Sequence, residues 1–340
     1  KRARNKEFAK VTYIFVALFI AMMGYISYFN VVKSRDIISS PYNKRQDSYA
    51  DRVIRGKILD RNGNVLAQTN VAEDGTETRE YPYNNIFAHV VGYTAQGKSG
   101  LESVSNFELL TSNAFFVDKL KNEFQDKKNQ GDNVVTTLDT NLQEAAYDAL
   151  GSNKGAVVVM DPSTGKILAM VSKPDFDPNT VSQNWNELST SEDSVLLNRA
   201  TQGQYAPGST FKIVAATAGV MEGVVGAYDT INCTGKFQLI PPDVNCWIYS
   251  ERYKSGSHGP LTLSQAITES CNFYFNTVGY MLGKTSDFTN LTPETDADGN
   301  VVQSSTYNDA QAISTLTKYA AMYGFDANTG IEIDETAPHV

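Results

Sequence analysis

Two short clusters hold the residues best suited to chemistry. In Pro207-Gly-Ser-Thr-Phe-Lys212, a serine and a lysine stand three positions apart at the head of an apolar run, Ile213-Val-Ala-Ala-Thr-Ala-Gly-Val220. Pro-Gly predicts a turn that opens a helix, and helical spacing then puts the Ser209 hydroxyl and the Lys212 amine on one face, about one turn apart. A serine oxygen becomes a nucleophile only with a base in hydrogen-bond reach, and a lysine serves only if its pKa falls from about 10.4 toward neutrality. Phe211, Ile213 and Val214 offer the apolar surroundings that cause such a fall, and a helix N-terminus favours the negative charge that develops.

The second cluster closes Leu261-Thr-Leu-Ser-Gln-Ala-Ile-Thr-Glu-Ser-Cys-Asn272, whose apolar positions 261, 263, 266 and 267 predict a buried helix ending in Ser270-Cys271-Asn272. A hydroxyl at Ser270 and an amide at Asn272 can face one cleft while Cys271 between them packs inward. Both patterns also recur elsewhere. Ser163 and Lys166 fall in a hairpin turn, and Ser182-Gln-Asn184 in a polar loop, so neither is read as catalytic.

The elements that must carry these residues follow from patterning. Residues 1–10 contain Lys1, Arg2, Arg4, Lys6 and Lys10 against Glu7, and from Val11 to Val32 no side chain is charged. At about 1.5 Å rise each, that stretch spans a bilayer, with Tyr25, Tyr28 and Phe29 as an interfacial belt and the basic flank on the cytoplasmic side. Only Gly24 to Ser27 faintly suggests a signal-peptide cleavage site, so an anchor is the reading. A polar stalk follows from Lys33 to Arg55. Asn62-Gly63 between Ile58-Leu59 and Val65-Leu66 predicts a hairpin with positive φ at both central positions. A helical stripe of Leu109, Leu110, Ala114, Val117, Leu120 and Phe124 is interrupted at Asn113. Further on, Asp139-Thr140 offers an N-cap to a helix burying Leu142, Ala145, Ala146, Ala149 and Leu150, which Gly151 to Gly155 stops. Residues 156–160 and 166–171 then predict a strand pair on that helix with both faces covered.

Composition bounds the class. The chain has 340 residues, 41% hydrophobic, with 24 glycines and a formal charge of −9, which excludes a disordered chain and a broad nucleic-acid footprint. Three cysteines and three histidines lack the linear spacing of a zinc motif. Outside the membrane, Cys233 and Cys246 stand where a disulfide would persist, the pairing being open, with Cys271 left over. His89, His258 and His339 have no evident partners and read as structural or solvated.

Ser209-x-x-Lys212 followed by Ser270-x-Asn272 resembles the motif set of the class B penicillin-binding proteins, Ser-x-x-Lys, Ser-x-Asn and Lys-Thr-Gly. The resemblance runs along nearly the whole chain. Arg55 to Gly63 is similar to the opening of the family's pedestal domain and Thr137 to Gln143 to the first helix of its transpeptidase domain. The strand pair with Pro174-Asp-Phe-Asp-Pro-Asn179, and Leu197-Asn-Arg-Ala200 before the nucleophile, match in the same way. It implies an α+β architecture: a basic tail (1–10), one transmembrane helix (11–32), a β-rich pedestal (33–132) and a penicillin-binding or serine β-lactamase-like domain (133–340) of helices packed on an antiparallel sheet.

The implied activity is serine-type D,D-transpeptidation of peptidoglycan stem peptides ending in D-Ala-D-Ala, with Ser209, Lys212, Ser270 and Asn272 catalytic. β-Lactams would trap the same serine, and no metal or organic cofactor is required. Implied partners are membrane lipid and a polytopic peptidoglycan glycosyltransferase. The sequence departs from the family in lacking Lys-Thr/Ser-Gly, since Lys284-Thr285-Ser286 is too close to Asn272 and has no glycine. Thr329 to Asp334 resembles a segment partway through such domains, so a C-terminally truncated, inactive piece is expected. Rival readings are a non-catalytic activator of the glycosyltransferase, a β-lactamase and a penicillin-sensing receptor.

Overall fold

A computed structural model describes residues 2–33, 52–114, 116–125, 127–286 and 291–339. The expected polar stalk lies largely outside the described residues. The first helix, Arg2–Tyr28, continues as a π-helical turn over Phe29–Lys33, and the segment Phe8–Lys33 is long and apolar enough to cross a membrane. Its large apolar side chains are exposed, Phe8 through Val32 alike. The chain divides between two compact units, residues 1–203 with 331–335, and residues 204–330 with 336–340.

In the first unit, a four-stranded sheet has the order Glu77–Glu80, Val65–Val71, Ile58–Leu59, Val134–Val135. The hairpin expected at Asn62-Gly63 forms, but only Gly63 takes positive φ, at 90°. The buried Asp60 carboxylate supplies the reason, since its Oδ1 accepts from the amides of Asn62 and Asn64, both at 2.8 Å, and so sets the turn from one side. Beneath the sheet, fully buried Glu102 takes Arg55 Nε at 2.6 Å and Arg79 Nε at 2.7 Å, a carboxylate neutralised by two guanidinium groups.

The stripe read between 107 and 124 is two helices, Asn106–Leu109 and Phe116–Phe124. The interruption at Asn113 is where they part, because its backbone and side chain both donate to Asp132. Asp139 does cap the Thr140–Leu150 helix, accepting from Asn141 N and Leu142 N. The buried face, however, is Thr140, Gln143 and Ala146, while Leu142 is exposed. Gln143 wins that place because its amide serves three backbone groups, donating to Ile86 O and Met170 O and accepting from Met170 N. Strands Gly155–Met160 and Ile167–Lys173 pair antiparallel, as expected, yet Val158 and Met160 are exposed. The helix covers one face of this two-stranded pair through Ala146, Tyr147 and Leu150, and the other face of the first strand stays open. Ser182-Gln-Asn184, read as loop, lies in the Val181–Ser189 helix.

The second unit packs the helices Lys212–Met221, Leu263–Thr268, Asn272–Gly283 and Asp309–Met322 around a core that includes Val214, Ala218, Tyr274, Val278 and Tyr319. Two short antiparallel pairs, Ile231–Cys233 with Gly259–Leu261 and Lys236–Phe237 with Val244–Asn245, adjoin it. Gly219 lies where the first of these helices packs against the third. A Cβ there would come within 2.8 Å of Val278 Cγ1 and 2.9 Å of Val225 Cγ1.

Candidate active site

The site grows from two helix starts in the second unit. Gly208, at φ +57°, turns the chain into a 3-10 segment, Gly208–Phe211, that runs straight into the Lys212–Met221 helix. Ser209 therefore sits in the tighter turn before the helix, exposed, with Lys212 at the first helical position.

The Ser-Cys-Asn segment is a junction rather than the end of one helix. A capping box between Thr262 and Gln265 starts Leu263–Thr268, and the chain then reverses at Ser270, whose φ is +48°. Cys271 begins the next helix, its sulfur accepting from Tyr274 N at 3.4 Å. This places Ser270 and Asn272 on the surface side and leaves Cys271 with no exposure, the alternation that the spacing suggested.

The four expected residues come together. Lys212 Nζ donates to Asn272 Oδ1 at 2.7 Å, to Ser270 O at 2.6 Å and to Ser270 Oγ at 3.0 Å. Ser270 Oγ in turn donates to Ser209 Oγ at 3.1 Å. The chain of contacts is thus Ser209, Ser270, Lys212, Asn272.

Loss of hydration pushes the Lys212 pKa below the ordinary lysine value, with the Cys246 and Cys271 thiols opposing the shift. An open, largely apolar cleft of about 460 Å³, lined among others by Phe211, Lys212, Phe237, Phe275, Tyr280 and Tyr307, lies on one side of the amine. The positive end of the Asn272–Gly283 helix opens toward the same place and also disfavours a cation. Chemically, the set could supply a hydroxyl nucleophile, an amine base and a second hydroxyl between them.

A second group lies directly behind it. Cys233, Cys246 and Cys271 are free thiols, so the disulfide left open for the first two does not form, and all three surround His258. Linear motif spacing missed this set. Its members come from two strand ends, a turn and a helix cap, and only the roughly even separations of 13, 12 and 13 positions hint at it.

Comparison with known proteins places this arrangement in a family. A model of the penicillin binding protein transpeptidase domain matches residues 155–338, and one of the penicillin binding protein A dimerisation domain matches residues 55–134. The chain belongs to the penicillin-binding protein transpeptidase family.

Among curated relatives, it is 32% identical over 302 residues to the peptidoglycan D,D-transpeptidase PbpA of Mycolicibacterium smegmatis, covering 82% of this chain and 60% of that protein. It is also 29% identical over 245 residues to MrdA of Escherichia coli K12, covering 62% of this chain and 38% of that one. It thus spans about 60% or less of the length of these relatives. Of solved structures, Pseudomonas aeruginosa PBP2 in complex with WCK 5153 superposes with a TM-score of 0.63 at 28% identity, covering 85% of this chain and 59% of that one. The imipenem acyl-enzyme of penicillin-binding protein A from M. tuberculosis does so at 0.60 and 26%, covering 77% and 66%.

Proposed function

We propose that the protein acts as a peptidoglycan D,D-transpeptidase, with Ser209 as nucleophile and target of β-lactams. The observation that carries this reading is the continuous hydrogen-bonded set Ser209, Ser270, Lys212 and Asn272 at two helix starts. A relative named D,D-transpeptidase and an acyl-enzyme neighbour support it.

Neutral Lys212 takes the Ser209 proton by way of Ser270, whose hydroxyl donates to Ser209 at rest and turns to give its proton to the amine as it accepts that of Ser209. Ser209 Oγ then bonds to the carbonyl carbon of the penultimate D-Ala. The C–N bond to the terminal D-Ala breaks, and its nitrogen receives the proton back through Ser270. An amine from a second stem peptide then attacks the ester carbonyl carbon, the C–Oγ bond breaks as the new amide forms, and the amine's proton returns through Lys212 and Ser270 to Ser209 Oγ. Asn272 both anchors Lys212 and offers its amide to the donor peptide backbone.

The apolar helix anchors the protein as a single span, the basic tail inside and the remainder outside. A membrane-embedded glycosyltransferase is its natural partner, since strand synthesis must feed cross-linking. Labelling the full-length protein with a fluorescent penicillin tests the central claim: covalent label is expected on the parent, and Ser209→Ala must abolish it. Persisting covalent label on that variant would overturn the assignment.

A further inference from the structure

Ser270 reaches both Ser209 and Lys212 only because the backbone reverses at it. Its φ of +48° lies in the left-handed region, where glycine is the usual occupant of a helix end and residues with a side chain are rare. Two main-chain bonds define the reversal. Ser270 N donates to Ile267 O at 3.1 Å and Cys271 N to Ala266 O at 2.9 Å, the paired bonds of a left-handed cap on the Leu263–Thr268 helix. They fix the amide side of each peptide flanking Ser270, and the carbonyl sides are left to side chains.

One of those carbonyls is Ser270 O, which takes Lys212 Nζ at 2.6 Å. The other is Glu269 O, which accepts from the indole Nε1 of Trp247, 22 positions earlier in the chain, at 2.9 Å. Both peptide planes about Ser270 are therefore held at both ends, and this sets the direction in which its side chain leaves the backbone. Trp247 follows the strand Val244–Asn245, and the bond from Cys246 N to Gly235 O at 2.8 Å fastens that segment.

Burial does not account for this tryptophan. It is 61% exposed, so its ring gains little by leaving water. Its contact with His258 is edge-on, 5.3 Å between ring centroids at 62°, which orients the plane of the indole. An indole nitrogen donates one hydrogen bond and accepts none, and that one bond goes to Glu269 O.

We propose that Trp247 is a positioning residue for the proton relay: its indole holds the Glu269 carbonyl and so fixes the left-handed turn that aims Ser270 Oγ at Ser209 and Lys212. The consequence for rate rests on the transpeptidase reading; the hold on the turn does not.

Trp247→Phe keeps a ring beside His258 and removes the donor. In the full-length protein this variant should exchange the Ser270 and Cys271 amide hydrogens about tenfold faster than the parent, with the amides of the Lys212–Met221 helix unchanged. Parental exchange at Ser270 and Cys271 would overturn the proposal whatever the activity of the protein. Benzothienylalanine at position 247, which keeps the bicyclic shape with sulfur in place of N–H, separates the bond from the ring. It should behave as the phenylalanine variant does, and parental exchange with it would show that ring bulk, not the bond, holds the turn.

On the transpeptidase reading, Trp247→Phe should slow acylation of Ser209 by penicillin about 10–10²-fold, the scale of a misplaced reacting group, while the dissociation constant of the complex that precedes acylation stays within about twofold. The loss should vanish in a Ser270→Ala background, because Trp247 acts through that hydroxyl. A parental acylation rate, or an equal loss in both backgrounds, would refute the role in the relay. Covalent label persisting on Ser209→Ala would unseat the transpeptidase reading alone, and the exchange measurement would still decide whether Trp247 holds the turn.

Discussion

Ser209 Oγ takes its hydrogen bond from Ser270 Oγ, 3.1 Å away, and Lys212 meets that pair at Ser270 Oγ, 3.0 Å away. The spacing Ser209-x-x-Lys212 by itself suggests direct contact between hydroxyl and amine. The 3-10 turn before the helix changes the distance rather than the angle, because side chains three apart eclipse there while the rise of about 2.0 Å per residue sets them further apart along the axis than an α-helix would. Lys212 is instead turned to the Ser270–Asn272 junction, and the second serine becomes the bridge.

Replacing that bridge should therefore cost more than trimming an ordinary side chain. Ser270→Ala in the full-length protein is expected to slow acylation by penicillin by about 10²–10⁴-fold, the range of a lost proton-transfer group. Ser270→Gly separates backbone from hydroxyl, since glycine accepts φ +48° without strain. Equal losses in both variants, measured as second-order acylation rates, would confirm the relay; a Gly variant at the parental rate would remove it.

The pH profile should report on Lys212. Desolvation holds its pKa below the ordinary lysine value, so the neutral, proton-accepting form gains population as pH rises through that lowered value. Acylation should climb with pH to a midpoint below that of a free lysine. Lys212→Arg, charged throughout the accessible range, should flatten the climb and leave little activity. A parental profile that does not rise between neutral pH and the ordinary lysine range would show that another group is the base.

The parts of this fold that were legible in the chain are those set by neighbours in sequence. Asp139 caps its helix, Asn113 breaks one, and Cys271 turns inward between two surface residues, because hydrogen bonds and alternation over a few positions decide each. Gln143 defeats the apolar pattern: it is buried for the backbone groups of Ile86 and Met170, which lie 57 and 27 positions away. The thiol cluster escapes for the same reason. His258 has no partner near it in sequence, and its neighbours Cys233 and Cys246 arrive through strand pairing. Asn62 keeps to negative φ because Asp60, buried by contacts with Thr140 from 80 positions on, fixes the turn.

A different histidine makes the first unit sensitive to acid. His89 is buried against Phe176, and burial drives its pKa down to about 4, with Asp175 opposing the shift and Arg199 adding to it. The unfolded chain binds this proton near pH 6.5, the folded one only near 4, so stability falls as pH drops through that interval and levels off below it. The full effect is about 3 kcal/mol, of which about 2 is lost between pH 7 and pH 5. Denaturant titrations of the parent and of His89→Phe at the two pH values measure it. The variant should lose about 2 kcal/mol less than the parent over that step, and equal losses would show that the buried ring protonates freely.

Gly219 links packing to the site. Ala is favoured over Gly within a helix by about 1 kcal/mol. Against that, the added methyl would press on Val278 Cγ1 and Val225 Cγ1 at under 3 Å, and neither valine has a flexible end to move. Overpacking of this kind costs about 1–3 kcal/mol, so the clash should win and Gly219→Ala should destabilise, with Gly219→Val worse. Val278→Ala, which makes room, should recover part of the loss in the double variant, a coupling that denaturant midpoints would reveal. The same two helices begin at Lys212 and Asn272, whose side chains meet at 2.7 Å. Wedging them apart at Gly219 should lengthen that contact and slow penicillin acylation in the full-length protein even at temperatures where the variant remains folded. Slower acylation restored by Val278→Ala would tie the rate to helix spacing, whereas a parental rate in Gly219→Val would show that the two helix starts hold their positions independently of the packing beneath them.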